Sequence, residues 1–215
     1  MITSTIGLLG QKIGMSQLFN EKGKLIPITI LRGGPCIITY LKSEAKEGYN
    51  AVQLGYFQIA QPKRGKFTKS EAGHCSKHCL PIVKHLREFV VQSKEELSTY
   101  QIGDNVGLDQ FEKNSFLSIS SVSTGKGNLG NIKRHHFNRG AMTHGSKHHR
   151  LQGSMGSGTT PGRVFPGKRM PGKEGNKKIT IKNLELLLID KEKNLLVVKG
   201  SIPGKYGNLL SIQKA

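Results

Sequence analysis

Two neighbouring runs of mostly apolar, β-branched residues decide the fold class of this 215-residue chain: Leu25–Leu31 (LIPITIL) and Cys36–Leu41 (CIITYL). Runs of this length that are rich in Ile and Thr and are bounded by Gly or Pro predict β-strands. Between them lies Gly33-Gly34-Pro35, which contains the dipeptides Gly-Gly and Gly-Pro that mark turns. We therefore predict a mainly β protein.

Further strand-length runs lie on the C-terminal side of this pair. Asp190–Asn194 (DKEKN) predicts a hairpin turn between the last two of them, and their spacing suits a small barrel or sandwich. Helical character is moderate and confined to the surroundings of Ser70–Cys79, while Arg87–Val91 is compatible with another strand. The additional predicted strands are Ala51–Tyr56, Phe116–Val122, Ile179–Ile181 with Leu184–Ile189, and Leu195–Val198.

The stretch Thr124–Lys178, which we call the basic arm, interrupts these strands and has a different composition. Its 55 residues include seven Lys, five Arg and a single acid, Glu174, which gives a net charge of +11 out of +19 for the chain. It also contains 12 of the 27 Gly and five of the eight His. Unpaired charges cannot be buried in a core, so we expect the isolated arm to be disordered or mobile and to be ordered by a polyanion.

Net charge and composition restrict the class of protein further. The chain has 33 Lys and Arg against 14 Asp and Glu, an isoelectric point near 10.0, and only 35% hydrophobic residues. Such a balance is typical of nucleic-acid-binding proteins. No apolar run approaches the roughly 18 residues that cross a bilayer, so no membrane partner is expected. Three cysteines without a secretion signal predict free thiols in a reducing compartment.

Two glycine-rich motifs resemble nucleotide-binding signatures but lack required parts. Gly125–Gly130 spells G-x-G-x-x-G, yet no acid that could bind a ribose occurs about 20 residues later. Gly162–Lys168 spells G-x-x-x-x-G-K, but Arg169 replaces the Ser or Thr that binds magnesium, and Pro171 follows closely. We interpret the first motif as a backbone that can approach phosphate closely, and we reject an NTPase.

A cluster of His and Cys at residues 74–79 (HCSKHC) has a spacing that could place pairs of ligands on one helix face. A structural zinc site usually draws ligands from two separate clusters, and only His85 and Cys36 could complete this one. The five His of the arm have no Cys or carboxylate near them in the sequence, so a metal bound there would lack a general base. We therefore predict no metal, no cofactor, no catalytic residue and no enzymatic activity.

The arm also indicates which nucleic acid is bound. Its only aromatic residues are Phe137 and Phe165, too few for stacking along a single strand. The sequence shows no helix-turn-helix pattern, C₂H₂ spacing, leucine zipper or RRM aromatic signature. The remaining possibility is that the arm recognises the backbone and shape of folded RNA. Its Arg residues then contact phosphates as planar forks, and its Lys residues act as point charges. The predicted RNA-binding residues are Lys126, Lys133, Arg134, His135, Arg139, Lys147, His148, Arg150, Arg163, Lys168, Arg169, Lys173, Lys177 and Lys178. The small, uncharged residues Ser154, Met155, Gly156, Ser157, Gly158 and Thr159 are the predicted arm tip.

Three long blocks of the chain resemble the large-subunit ribosomal protein L3 family of the bacterial and organellar type. They are Gly7–Met15 with Gln17-Leu18-Phe19, Thr124–Arg134 with Phe137, and Thr160–Met170 with Gly175-Asn176. Shorter matches occur at Gly33, Pro35 and Cys36, at His85–Phe89, at Thr180-Ile181, and at Val198–Gly204. The resemblance spans essentially the whole chain. It departs from the family at Ser118, Ser121 and Asn128, and at Thr159, where some bacterial relatives have a Gln that can be methylated.

The resemblance implies a six-stranded Greek-key barrel like the second domain of translation elongation factors, with a small α+β insertion and a long basic extension. On this basis we expect a barrel body at residues 1–42, 96–123 and 179–215, an insertion at 43–95 and the arm at 124–178. The resemblance also implies binding to large-subunit rRNA near its 3′ domain, a role in early subunit assembly, and an arm that approaches the peptidyl transferase centre.

Partners and location follow from the same resemblance. We expect neighbouring large-subunit proteins as partners, no homo-oligomer, and a location on ribosomes of the bacterial cytoplasm or of an organelle. Lys outnumbers Arg 25 to 8, which suits an AT-rich genome, and among organelles we favour the plastid stroma. A free-standing RNA chaperone or architectural nucleic-acid-binding protein remains the alternative.

Overall fold

β-Strands make up most of the regular structure in this computed structural model, which describes residues 6–59, 68–91 and 94–215. The prediction of a mainly β protein is confirmed. The strands are β1 Leu8–Phe19, β2 Leu25–Gly33, β3 Cys36–Lys42, β4 Ala51–Gln58, β5 Val83–Val90, β6 Asn105–Val106, β7 Phe116–Val122, β8 Gly127–Leu129, β9 Gly172–Glu174, β10 Lys178–Asp190, β11 Leu195–Lys199 and β12 Leu209–Lys214. The helices are α1 Glu44–Glu47, α2 Lys69–Ser76, α3 Lys94–Ser98 and α4 Asn131–His135, with a 3₁₀ turn at Leu108–Gln110.

Six strands close into an antiparallel barrel in the order β1-β12-β7-β10-β11-β2. Successive side chains of a strand point to opposite faces, and the sequence follows this period. In β12, for example, Leu210 and Ile212 are fully buried while their neighbours are not. Leu117 and Ile119 of β7 are fully buried in the same way. The β-branched and leucine-rich runs therefore line the barrel interior.

Strand β1 was not among the strands that hydrophobic runs predicted, because glycines and polar residues obscure its alternation. Gly10 pairs with Gly33 of β2, and a Cβ at Gly10 would lie 2.6 Å from the Arg32 carbonyl oxygen. A side chain at this position would clash with the neighbouring backbone. The register of β1 against β2 also shifts between Lys12 and Gly14. The close packing of β1 thus requires glycine, and glycines interrupt the alternating apolar pattern by which a strand is recognised in a sequence.

The second sheet has the order β5-β4-β3-β6 and begins earlier along the chain than the expected insertion at residues 43–95. Strand β3, which we expected in the barrel body, pairs with β4 in the register Cys36↔Tyr56. The Gly33-Gly34-Pro35 turn therefore carries the chain from the barrel into this sheet and does not close a hairpin. A short connection through α1 makes β3 and β4 sequential antiparallel neighbours, the commonest arrangement of consecutive strands.

Helix α2 lies within the segment whose sequence has helical character. It begins with a capping box in which the Thr68 side chain accepts from the Glu71 amide, and the Glu71 carboxylate accepts from the Thr68 amide. Reciprocal bonds of this kind satisfy two amides that the first helical turn leaves open. The helix ends at Ser76, three residues before Cys79, whose φ is 54°.

The described chain divides into two units. The first unit comprises the described residues up to Val122 and Lys178–Ala215. Its core is one continuous apolar cluster that includes residues of both sheets, such as Leu8, Leu54 and Leu117. The second unit, Ser123–Lys177, contains the two-stranded sheet of β8 and β9. Within the part of the chain that the structure describes, no helix is long and apolar enough to cross a membrane.

Candidate nucleic-acid interface

The second unit, residues 123–177, is closed at its base by hydrogen bonds between its two ends. The Ser123 amide donates to the Lys177 carbonyl at 2.9 Å, and the Ser123 hydroxyl donates to the same oxygen at 3.2 Å. Strands β8 and β9 then pair in the register Gly127↔Glu174, Asn128↔Lys173 and Leu129↔Gly172. The 42 residues between these two strands therefore leave and return through one short ladder.

The geometry next to these paired strands requires a glycine at position 175, directly after β9. Its φ is +72°, and a Cβ there would lie 2.1 Å from the Thr124 carbonyl oxygen. Only glycine adopts the left-handed region without strain and leaves room for such a close approach. The Lys126 amide donates to the Glu174 carbonyl at 2.9 Å beside it.

Arg134 is directed into the unit and holds its base together. From helix α4 its Nη1 donates to the Met170 carbonyl at 2.8 Å, and its Nε lies 3.6 Å from a carboxylate oxygen of Glu174. The ring of His135 contacts the same Met170 carbonyl at 3.0 Å through Nε2. Both side chains are only partly exposed. The structure thus places Arg134 and His135, two of the predicted RNA-binding residues, in internal contacts.

The other predicted RNA-binding residues are all exposed. Eleven Lys and Arg residues lie in the second unit, against the one carboxylate of Glu174, which gives this unit a net charge of +10. Glu174 pairs with Arg134, and none of the exposed cations of this unit forms an ion pair with any residue that the structure describes. Lys178 belongs to the first unit, as the first residue of β10 opposite Val122. The exposed residues are Lys126, Lys133, Arg139, Lys147, His148, Arg150, Arg163, Lys168, Arg169, Lys173, Lys177 and Lys178.

The loop between α4 and β9 is mostly irregular. At one point two of its segments meet, since the Gly140 amide donates to the His149 carbonyl at 3.1 Å. A Cβ at Gly140 would overlap the His148 carbonyl oxygen, at 1.7 Å, so glycine is required there. In the predicted tip, residues 154–159, every residue is exposed except the half-buried Met155. An exposed backbone with few side chains offers amide groups that can approach phosphate closely.

The two glycine-rich motifs adopt different structures. The G-x-G-x-x-G motif contains strand β8 and is followed directly by the five-residue helix α4, which the basic sequence after Gly130 does not predict. Asn131 at the start of that helix is buried, and its side-chain amide donates to the Arg169 carbonyl at 3.4 Å. In the second motif Gly162 and Gly167 both have positive φ, and residues 169–177 contain β9 but no helix. The phosphate-binding helix of a P-loop is therefore missing.

The His and Cys cluster at residues 74–79 is divided between different surroundings. The Nε2 atom of His74 lies 2.7 Å from the side-chain oxygen of Gln53, Cys75 is buried and Cys79 is exposed. Within residues 6–59, 68–91 and 94–215, no group of three or more His, Cys, Asp or Glu side chains could hold one metal ion. The i,i+4 spacing therefore does not assemble a ligand set among the described residues.

Comparison with known proteins connects this basic unit to a family. A family model described as ribosomal protein L3 matches residues 88–195, which include β7, β10 and the entire second unit. This match covers half of the chain. The chain belongs to the ribosomal protein L3 family.

Full-length relatives agree with the family model. The chain is 50% identical over 207 residues to the large ribosomal subunit protein uL3c of Phaeodactylum tricornutum, with 96% of this chain and 97% of the relative covered. It is 50% identical to the protein of the same name from Gracilaria tenuistipitata var. liui, with 96% and 98% covered. It is 51% identical to the large ribosomal subunit protein uL3 of Prochlorococcus marinus strain MIT 9301, with 97% and 94% covered.

Family membership confirms the resemblance that the three sequence blocks carry. It also confirms that the chain is a ribosomal protein and not an enzyme, since the L3 family consists of structural constituents of the ribosome. The internal pairing of Arg134 with Glu174 is what reasoning from the sequence missed. Glu174 is the only acid in the arm, and an isolated acid among many cations is the one signal that would have indicated an internal ion pair.

Proposed function

We propose that this L3-family protein is a structural component of the large ribosomal subunit that binds large-subunit rRNA through its second unit. The observation that carries the proposal is the set of eleven exposed cations, ten in this unit and Lys178 directly after it in the chain, none of which forms an ion pair with the described residues. Neutralisation of phosphates releases counterions and dominates affinity for nucleic acids. The names of the relatives, large ribosomal subunit protein, support the same conclusion.

Within this function, Arg139, Arg150, Arg163 and Arg169 contact phosphates as planar forks, and the exposed Lys residues act as point charges. His148 faces the RNA. Arg134 and His135 contribute indirectly, because their bonds to Met170 hold the base of the loop in one geometry. The glycine-rich tip, residues 154–159, passes through gaps between RNA segments that larger side chains would block.

The remaining features of the proposal concern architecture and location. The arm occupies residues 124–178, approaches the peptidyl transferase centre, and binds near the 3′ domain of the rRNA during early subunit assembly. The closed six-stranded barrel has the Greek-key topology of the second domain of elongation factors, and its antiparallel strand order supports this. Neighbouring ribosomal proteins are further partners. The ribosomes are those of a bacterium or of a plastid, as the relatives from both sources suggest.

Hydroxyl-radical footprinting of the purified chain on large-subunit rRNA tests this function. We expect one discrete protected region near the 3′ domain. A fourfold variant of exposed arm residues, Lys126→Gln, Lys133→Gln, Lys147→Gln and Lys168→Gln, should lose most of this protection. The matched control removes four exposed charges from the first unit, with Lys22→Gln, Lys24→Gln, Lys113→Gln and Lys193→Gln.

Uniform weak protection of unrelated RNAs by the unmodified chain would contradict the ribosomal function and would favour a free-standing RNA chaperone. Equal loss of protection in the two fourfold variants would show that the arm holds no special position in binding. In both comparisons, circular dichroism at the same temperature confirms that each variant retains its strand content.

A further inference from the structure

A cleft on the first unit, outside the basic loop, has the chemistry of an RNA-backbone site. It has a volume of about 380 Å³ and lies where edge strand β5 of the second sheet meets the outer face of barrel strands β12, β7 and β10. This volume is within the range of sites for small ligands, roughly 300–1,000 Å³. Its lining residues are Leu9, Arg87, Glu88, Ser120, Ser121, Val122, Lys178, Asn208, Leu209 and Ser211.

A row of hydroxyl groups on neighbouring strands lies on the barrel side of the cleft, with Ser120 and Ser211 among the lining residues. Ser211 of β12 is opposite Ser120 of β7, and Ser120 is opposite Thr180 of β10. The Ser120 and Thr180 oxygens lie 2.7 Å apart and share one hydrogen bond. Short side chains at these positions keep the outer face of the barrel open to an approaching ligand.

Two cations line the cleft from different strands. Arg87 lies on β5 and Lys178 at the start of β10; both are exposed. The described residues form no ion pair with either of them. Two unpaired charges at one cleft favour an anion such as a phosphodiester.

Glu88, the one acid at the cleft, is already neutralised. Its carboxylate pairs with the Lys42 ammonium at 2.9 Å and accepts hydrogen bonds from Tyr49 at 2.8 Å and Gln53 at 3.3 Å. Burial acts to raise the pKa of Glu88, but these hydrogen bonds and the Lys42 charge outweigh it and hold the pKa below its usual value. Glu88 therefore stays ionised with its charge compensated, and it leaves the positive potential of Arg87 and Lys178 intact.

Asn208 adds a group suited to ribose. Its Nδ2 donates to the Ser121 hydroxyl and to the Val122 carbonyl, both at 2.8 Å. Both amide hydrogens are thereby used, and the side-chain oxygen is the atom that Asn208 can offer to a ligand. A carbonyl oxygen accepts from a hydroxyl such as the ribose 2′-OH, the group that distinguishes RNA from DNA.

We infer that this cleft binds a ribose-phosphate segment of RNA, with Arg87 and Lys178 on the phosphates and Asn208, Ser120 and Ser211 on the ribose hydroxyls. The inference rests on the proposed function and adds a second RNA contact on the first unit. The hydroxyl groups of ribose both donate and accept, as those of Ser120 and Ser211 do, whereas the carboxylates of an acidic protein segment only accept. The cleft therefore fits RNA better than an acidic peptide.

Ultraviolet cross-linking of the full chain to large-subunit rRNA, with mass spectrometry of the cross-linked peptides, tests the inference. We expect cross-links in peptides that contain Arg87 and Asn208, in addition to those from residues 123–177. The single variant Arg87→Gln, which leaves every cation of the proposed arm interface in place, should lose the first set at least tenfold and keep the second. Filling the cleft with Ser211→Leu should have the same selective effect without changing any charge.

The matched control is Lys84→Gln, which also removes one charge from β5. Lys84 is on the same strand as Arg87 but does not line the cleft, so both sets of cross-links should persist. If the arm peptides cross-link and the cleft peptides do not, or if the cleft variants leave all cross-links unchanged, the inference is wrong and the proposed function stands. If no peptide cross-links selectively to large-subunit rRNA, the proposed function itself fails.

Discussion

Cys36 lies at the point where the chain passes from the barrel to the second sheet, and its thiol donates to the Leu9 carbonyl at 3.4 Å. Burial raises the pKa of this thiol from 9.0 to about 12. The thiolate is the nucleophilic form of cysteine. We therefore expect iodoacetamide at pH 8 to label the exposed Cys79 and to spare Cys36 and the buried Cys75, as peptide mass spectrometry can show. Labelling of all three in urea is the control.

The same raised pKa makes stability depend on pH in the alkaline range. Between pH 9 and 12 the Cys36 thiol ionises in the unfolded chain but stays protonated in the folded one. The folded state then binds more protons, so the free energy of unfolding falls as pH rises, by about 1.4 kcal/mol per pH unit for one group. In urea titrations from pH 8 to 11, Cys36→Ala should show a shallower decline than the unmodified chain. Parallel declines would contradict the burial of this thiol.

Arg134 illustrates how a cation in a basic segment can have a structural role. Replacing it by Gln removes the donor to the Met170 carbonyl and the charge beside Glu174. An unsatisfied, partly buried polar group costs about 1–3 kcal/mol. Hydrogen exchange of the α4 amides should accelerate about fivefold or more in Arg134→Gln. Lys133→Gln removes the same charge from an exposed neighbour and should leave these amides unchanged.

Residue type alone could not have separated Arg134 from Arg139. Both are arginines in the same basic segment, and only the turn of α4 and the return of the chain at Met170 bring Arg134 to its internal partners. The cleft on the first unit was equally hidden. Arg87, Ser120 and Asn208 are far apart in the sequence and become neighbours through the meeting of two sheets.

At the level of elements, the two-stranded sheet of β8 and β9 controls the geometry of the proposed interface. Gly127 is the first residue of β8 and Gly175 directly follows β9, and their φ angles are nearly equal, +69° and +72°. A Cβ on Gly175 would clash with the Thr124 carbonyl, whereas nothing lies within 4 Å of one on Gly127. The two alanine variants therefore share the backbone strain and differ in the clash alone.

We expect Gly175→Ala to separate the two strands of the β8–β9 sheet. Gly127→Ala should destabilise this sheet by only about 1 kcal/mol, the cost of the strained φ. Overpacking adds about 1–3 kcal/mol for Gly175→Ala. The Lys126 amide, which donates to the Glu174 carbonyl, reports the difference, and its exchange should be at least fivefold faster in Gly175→Ala than in Gly127→Ala. Equal exchange rates of the Lys126 amide in the two variants would show that the β8–β9 sheet accommodates the Cβ of residue 175 without loss of stability.

The sequence predicted a strand correctly where the pattern of apolar residues matches the way that strand packs. The runs that became β2, β7 and β11 alternate or are continuously apolar, and their strand identity follows from that pattern. Strand β1 carries glycines at sites of close packing, which removes the pattern. Strand β3 was recognised as a strand, but its assignment to the second sheet depends on pairing with β4, which a local run does not encode.

For the whole molecule, charge and core are separated between the two units. The first unit holds the continuous apolar core, and the second unit holds a net charge of +10 out of +19 in 55 residues. The low apolar fraction of the chain is therefore a property of one unit. A unit with this composition gains little from burial of its own side chains, and its proposed contacts with RNA phosphates supply the missing interactions.

This separation predicts how affinity for RNA depends on salt. The logarithm of the binding constant falls linearly with the logarithm of salt concentration, with a slope of roughly 0.7–0.9 per neutralised phosphate. If Lys126, Lys133, Lys147 and Lys168 each contact one phosphate, their fourfold Gln variant should reduce the slope by about 3. The fourfold variant of Lys22, Lys24, Lys113 and Lys193 carries the same net charge and should keep the slope within about 1 of the original. Filter binding to a large-subunit rRNA fragment between 50 and 400 mM KCl measures both. Equal reductions would mean that net charge, wherever it lies, determines binding, and would contradict a localised interface.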